Sequence, residues 1–132
     1  MNCKLIFIPI SIMDYKFINM EYLDSVSGGD SSIINELVAL FKQQSNEIYN
    51  EMKSFLESKN YVSLGLLAHK AKSSVAIMGM SKLAEMLKTF ELQAREGKET
   101  QLYEQYLERF RKETEEATRE LEDIIHNRLS GI

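Results

Sequence analysis

One cysteine, one proline and two histidines occur in 132 residues, and each scarcity excludes something. Cys3 alone cannot close an intramolecular disulfide, so no disulfide framework holds this chain and a reducing compartment is the default. Beyond Pro9 no residue carries the ring that breaks a helix. His69 and His126 lie too far apart for metal-ligand spacing. A Gly-rich phosphate loop and kinase motifs are missing, and Ser73 and Ser74 have no setting for acyl transfer. A basic excess is missing too: the net charge is −4 and the pI about 5.3, which argues against a nucleic-acid binder. No apolar run is long enough to span a membrane.

What is present fits one helical domain. Apolar residues make up 44 % and charged residues 27 %, enough for one core and too balanced for a disordered chain. Residues 4–13, KLIFIPISIM, place a lysine before an apolar run, as a signal peptide does. The run is short, Pro9 interrupts it, and no small-residue cleavage site follows. Residues 1–16 are therefore read as a poorly ordered or surface-packed extension of a cytoplasmic protein, with Met13 and Met20 as candidate internal starts.

Helix punctuation divides residues 17–129. A short helix over about 17–26 ends at Ser27, Gly28 and Gly29, where glycine supplies the left-handed backbone of a helix end. Asp30 caps a helix over about 31–57 that carries Ile34, Leu37, Leu40, Phe41, Ile48 and Met52 at helical spacing. Asn60 caps a third helix, about 61–78, which stops at Gly79. Ser81 is read as the cap of a fourth, about 82–96, with Leu83, Met86, Leu87, Phe90 and Leu92, closed by Gly97. A fifth runs over about 99–128 with a charged outer face across residues 111–120. Short connections make neighbours antiparallel. The expected fold is all-α, an up-down-up-down four-helix bundle with an additional short N-terminal helix.

The third helix carries the chemistry. At about 100° per residue, Leu64, Leu67, Ala71, Val75 and Met78 all lie opposite His69 and form a core stripe, so His69 points outward. Its own face holds Val62, Gly65, Leu66, Lys72, Ser73 and Ala76. Gly65, Ser73 and Ala76 are small and lie within about 40° of it. Glycine inside a helix costs roughly 0.5–1 kcal/mol against alanine, so Gly65 predicts a close approach by another backbone or a ligand. An imidazole titrates near pH 6.5 and is largely nucleophilic at neutrality. Lys72, one turn on, is placed to offset charge on a phosphoryl group held by His69. By residue type and spacing alone, a surface histidine beside lysine is more often plain surface than a site. His126, near a helix C-terminus, is read as surface or dipole-compensating.

The stretch Leu67, Ala68, His69, Lys70, Ala71, Lys72, Ser73, Ser74, with Gly79 ten residues after the histidine, resembles the signature of histidine-containing phosphotransfer (HPt) domains. Gly28, Gly29 and Asp30 before a long helix match that family's opening. Leu87, Phe90, Glu91 and Arg95 fall where it commonly has an apolar core position, a Gln or Glu, and a basic residue facing the histidine. The resemblance covers roughly residues 17–125, with one departure: Ser73 stands where the family usually has glycine.

The resemblance implies a monomeric phosphorelay intermediate without kinase activity. His69 is then the phosphoacceptor, exchanging a phosphoryl group with receiver-domain aspartates, and Lys72 offsets its charge. Ser73, Glu91 and Arg95 orient the ring or the phosphate. Val62, Gly65, Leu66, Lys70, Ala76 and Gly79, with Tyr22 and Val26 of the first helix, form the docking surface. No cofactor is implied for this chain, since the Mg²⁺ belongs to the receiver of a response regulator or hybrid kinase. Two other readings fit the residues less well. A phosphate-independent helical adaptor is disfavoured by His69, Lys72 and Gly79 occurring together. The dimeric phosphoacceptor domain of a histidine kinase is disfavoured by Lys70 after the histidine, the lack of a following proline, and enough helices for a bundle within one chain.

Overall fold

A computed structural model describes residues 15–130. Most of the expected N-terminal extension, with Cys3, Pro9 and Met13, lies outside the described residues. Among those described there are five α-helices and no strand: α1 (Met20–Ser27), α2 (Ser31–Glu57), α3 (Tyr61–Ile77), α4 (Ser81–Glu96) and α5 (Tyr103–Ser130). α2 packs on α3 and α5, and α4 packs on α3 and α5, which closes a four-helix ring; α1 packs on α2. The all-α bundle with an extra N-terminal helix is the observed architecture.

Local chemistry accounts for most of the boundaries. Gly28, at φ 63, ends α1 in the left-handed conformation. The Asp30 carboxylate accepts from the Ser32 N–H and caps α2. Asn60 does the same for α3 through the Ser63 N–H. Three expectations need correction. α1 begins at Met20 rather than near 17, because Asn19 is extended at φ −96 and ψ 111 and its side chain accepts the Tyr22 N–H as the cap. Ser81 is not the cap of α4 but its first residue. Met80 holds the cap position because its side chain is buried in the core, and burial outweighs capping propensity. α5 begins at Tyr103 after a 3₁₀ turn over Thr100–Leu102, where Glu99 takes a positive φ of 58.

The helices are of unequal length. α2 and α5 have 27 and 28 residues against 17 and 16 for α3 and α4. At 1.5 Å per residue the long pair exceeds the short pair by roughly 15 Å. Their seam is an alternating three- and four-residue stripe: Ile34, Val38, Phe41, Ser45, Ile48 and Met52 face Tyr103, Leu107, Phe110, Thr114, Ala117, Leu121 and Ile124, all buried. Residues 15–19 and α1 cover part of this pair, contributing buried Ile18 and Leu23 to the core. Tyr15 and Lys16, assigned to the extension by sequence, are tied to α5: the Tyr15 hydroxyl donates to Asp123 at 2.8 Å and the Lys16 N–H to Glu120 at 3.0 Å. Leu92, Leu40 and Ile33, which share the helical spacing of the core residues, are exposed instead.

An aromatic cluster fixes α4 against α5. Phe90 lies 5.3 Å from the Tyr103 ring and 4.9 Å from that of Tyr106, and Tyr61 meets Tyr103 edge-on at 5.3 Å. The Tyr103 hydroxyl donates to the Lys98 carbonyl, and that of Tyr106 to Gln93. With Phe90 locked inward, the next residue, Glu91, is turned about 100° round the helix, toward α3.

Candidate functional site

The expected core stripe of α3 is as read: Leu64, Leu67, Ala71, Val75 and Met78 are buried. His69 projects on the other side with 54 % of its side chain exposed. Its Nδ1 lies 3.1 Å from Oε1 of Glu91 and 3.2 Å from Oε2. The Glu91 side chain is only 7 % exposed. The same carboxylate takes the Arg95 guanidinium at 2.7 Å, one turn along α4, and the Lys72 ammonium at 3.7 Å. An ionised carboxylate can only accept, so Nδ1 carries the ring hydrogen and the neutral imidazole keeps its lone pair on Nε2. His69, Lys72, Glu91 and Arg95, singled out in the sequence, form one cluster.

Burial on its own would raise the Glu91 carboxyl, and it is the largest single influence. The hydrogen bond from His69 and the charges of His69, Arg95 and Lys72 together outweigh it, and the group sits below the ordinary glutamate range. A carboxylate lowered by folding contributes stability that is present above its unfolded pKa of about 4.3 and lost as pH falls through the lower folded value. Wild type should therefore lose stability relative to Glu91→Gln when denaturation is followed from about pH 6 to about pH 3. Parallel curves would show that the cluster does not hold the carboxylate ionised.

Gly65 requires a correction. It is buried, not part of the exposed face. A Cβ there would meet the Glu91 carbonyl oxygen and the Arg95 Cγ, each at 3.2 Å. The close backbone that the glycine predicted is α4 itself. Gly65 lets α4 approach α3 closely enough for Glu91 to reach His69, and it offers no surface to a partner. Gly79 is half-buried at φ +76, where side chains are strained, and the Tyr22 ring lies against it.

The remaining expected docking residues are exposed. Val62, Leu66, Lys70, Ser73 and Ala76 line α3 around His69, and Tyr22 and Val26 face outward from α1. The ring thus has two unlike flanks. Gly65 and Lys72 lie on the side toward α4, where the charges gather. Leu66, Lys70 and Ser73 lie on the side away from it. The Ser73 hydroxyl reaches the His69 carbonyl only at 3.5 Å, a weak bond back into its own helix. Sequence reasoning missed two exposed apolar residues beside this face, Ile77 and Leu92. Ile77, eight residues after His69, was legible from spacing. Leu92 was obscured by sharing its helix with five buried apolar residues, Leu83, Met86, Leu87, Phe90 and Ala94. His126 is exposed on α5, outside the cluster. Among the described residues no group of His, Cys, Asp and Glu could hold a metal ion, and no helix is long and apolar enough to cross a membrane.

A helical bundle presenting a half-exposed imidazole, backed by a buried carboxylate and flanked by lysine and arginine, has the make-up of a phosphocarrier. The chain matches the Hpt domain family over residues 36–130 and belongs to it. Hpt domains are phosphotransfer modules of phosphorelays rather than kinases, and they interact there with receiver domains. Neither the curated proteins nor the solved structures compared include a match. The family match starts within α2, so α1 and the segment before it lie outside it.

Proposed function

We propose that this protein is a phosphorelay intermediate in which His69 accepts a phosphoryl group from a receiver-domain aspartate and passes it to another. The observation that carries this reading is the Glu91 carboxylate bound to Nδ1 while the other edge of the ring is open to solvent. The Nε2 lone pair attacks phosphorus. An N–P bond forms, the P–O bond to the aspartate breaks, and the aspartate leaves as a carboxylate. Because Nδ1 keeps its hydrogen, the phosphorylated ring is cationic, and Glu91 offsets that charge. Lys72 and Arg95, which both meet the Glu91 carboxylate, are the cations that would offset negative charge on the phosphoryl oxygens during transfer. The Mg²⁺ of the reaction belongs to the receiver. Val62, Leu66 and Ala76 give a small apolar patch with a polar rim, which suits a transient partner. The protein works as a monomer in the cytoplasm.

The test is incubation of the full chain with phosphorylated receiver domains of its source organism. Label should appear on the protein, labile in acid and stable in base. If no receiver transfers label, the reading fails. Lys72→Ala should slow transfer about 10- to 100-fold while helicity is unchanged. A comparable loss of helicity would place Lys72 among the fold's supports instead.

A further inference from the structure

Glu120, on the middle of α5, accepts three backbone N–H groups in a row: Lys16 at 3.0 Å, Phe17 at 3.0 Å and Ile18 at 3.0 Å. A single carboxylate thus pins the strap that enters α1. On its other side a cleft of about 410 Å³ lies between Lys16 and Phe17 and residues 79–83, where α3 passes into α4, and is lined also by Arg109. Glu120 and the Tyr15–Asp123 bond supply the polar hold on this end of the strap, beside the partial packing of Tyr15 and Phe17 on the core. Ile18 is buried, Asn19 caps α1 through the Tyr22 N–H, and Asn19 and Tyr22 both lie against Gly79.

α1 therefore meets the end of the His69 helix where the Tyr22 ring lies against Gly79, and Tyr22 and Val26 of α1 are exposed, as is Ile77 two residues before that glycine. Both α1 and the strap lie before the family-matched residues. We infer that Glu120 is a positioning residue for receiver recognition: it clamps residues 16–18 so that α1 is held with Tyr22 and Val26 presented to the receiver. The inference rests on the proposed function, which supplies the partner. Glu120 touches no reacting group, so its effect falls on recognition and not on the chemistry of His69.

The experiment uses the full chain, the receiver that labels wild type fastest, and phosphoramidate as a small donor that needs no docking. In Glu120→Ala, amides of residues 16–18 and 20–27 should exchange about tenfold faster, and KM for the receiver should rise about tenfold with kcat within about twofold. Labelling by phosphoramidate should be unchanged. Val26→Asp, an exposed change that leaves the strap bonds intact, should raise KM alike without faster exchange at 16–18. Unchanged exchange in Glu120→Ala overturns the clamp. Faster exchange with wild-type KM, or a wild-type KM in Val26→Asp, overturns the docking role of α1. A wild type that no receiver labels sinks the proposed function itself, an outcome distinct from all three.

Discussion

His69→Gln should carry no acid-labile label under conditions in which wild type is fully labelled, and should remain folded. Glutamine keeps an N–H that can face Glu91 but has no basic nitrogen to attack phosphorus. His69 is half-exposed, so its replacement should change stability by no more than about 0.5 kcal/mol. The effect on transfer is complete while the effect on folding is small, and that contrast separates a reactive residue from a structural one. His126→Gln is the control and should label as wild type does. Label that persists in His69→Gln, followed by peptide mapping to another residue, would refute the assignment of the acceptor.

The second large effect is expected at Gly65, which touches no phosphoryl group. Valine there must place its Cβ and methyl groups against the Glu91 carbonyl, 3.2 Å from the Cβ position, and against the Arg95 backbone nitrogen, 3.4 Å from it. Backbone atoms cannot swing aside as the end of a side chain can. Overpacking of this kind costs typically 1–3 kcal/mol. It would also push α4 away from α3 and take Glu91 out of reach of Nδ1. Gly65→Val should therefore lower the unfolding free energy by about 2 kcal/mol and reduce transfer at least tenfold while the bundle persists. Thermal melts and labelling rates measured on one preparation check both halves. Full transfer with full stability would mean that the two helices do not need this closeness.

The case of Gly65 also shows where sequence reasoning reached its limit. A helical wheel placed it about 40° from His69 and so on the same face. The wheel orders residues round one helix, but it does not say on which side the neighbouring helix lies. α4 lies on the Gly65 side, so a position that looked open is covered, whereas Ser73, at a similar angle on the other side, is exposed. The core stripe of α3 was legible because five apolar residues agree on one direction. Asp30, Asn60 and Gly28 were legible because helix ends need those residue types. The roles of Met80 and Glu120 were not legible. Met80 displaces a good capping residue because the core needs its side chain. Glu120 looks like one of many surface acids in a charged segment, and only the return of residues 16–18 to α5 gives it partners. Glu91 was found by position in a family pattern; its burial opposes a charge, and only the packing of α3 on α4 brings His69, Lys72 and Arg95 to it as the partners that let a carboxylate stand there.

The Glu91 carboxylate is already bound to His69, Lys72 and Arg95 in the unmodified protein. Under the proposed function, the groups that would offset the charges of a phosphorylated ring are assembled before any phosphate arrives. Gaining or losing the phosphate then demands little change of shape. Such a protein informs its partners by how many of its copies are loaded, so its abundance relative to the receivers becomes a control parameter. A cell with many copies would smooth brief bursts of input, and a cell with few would pass them on.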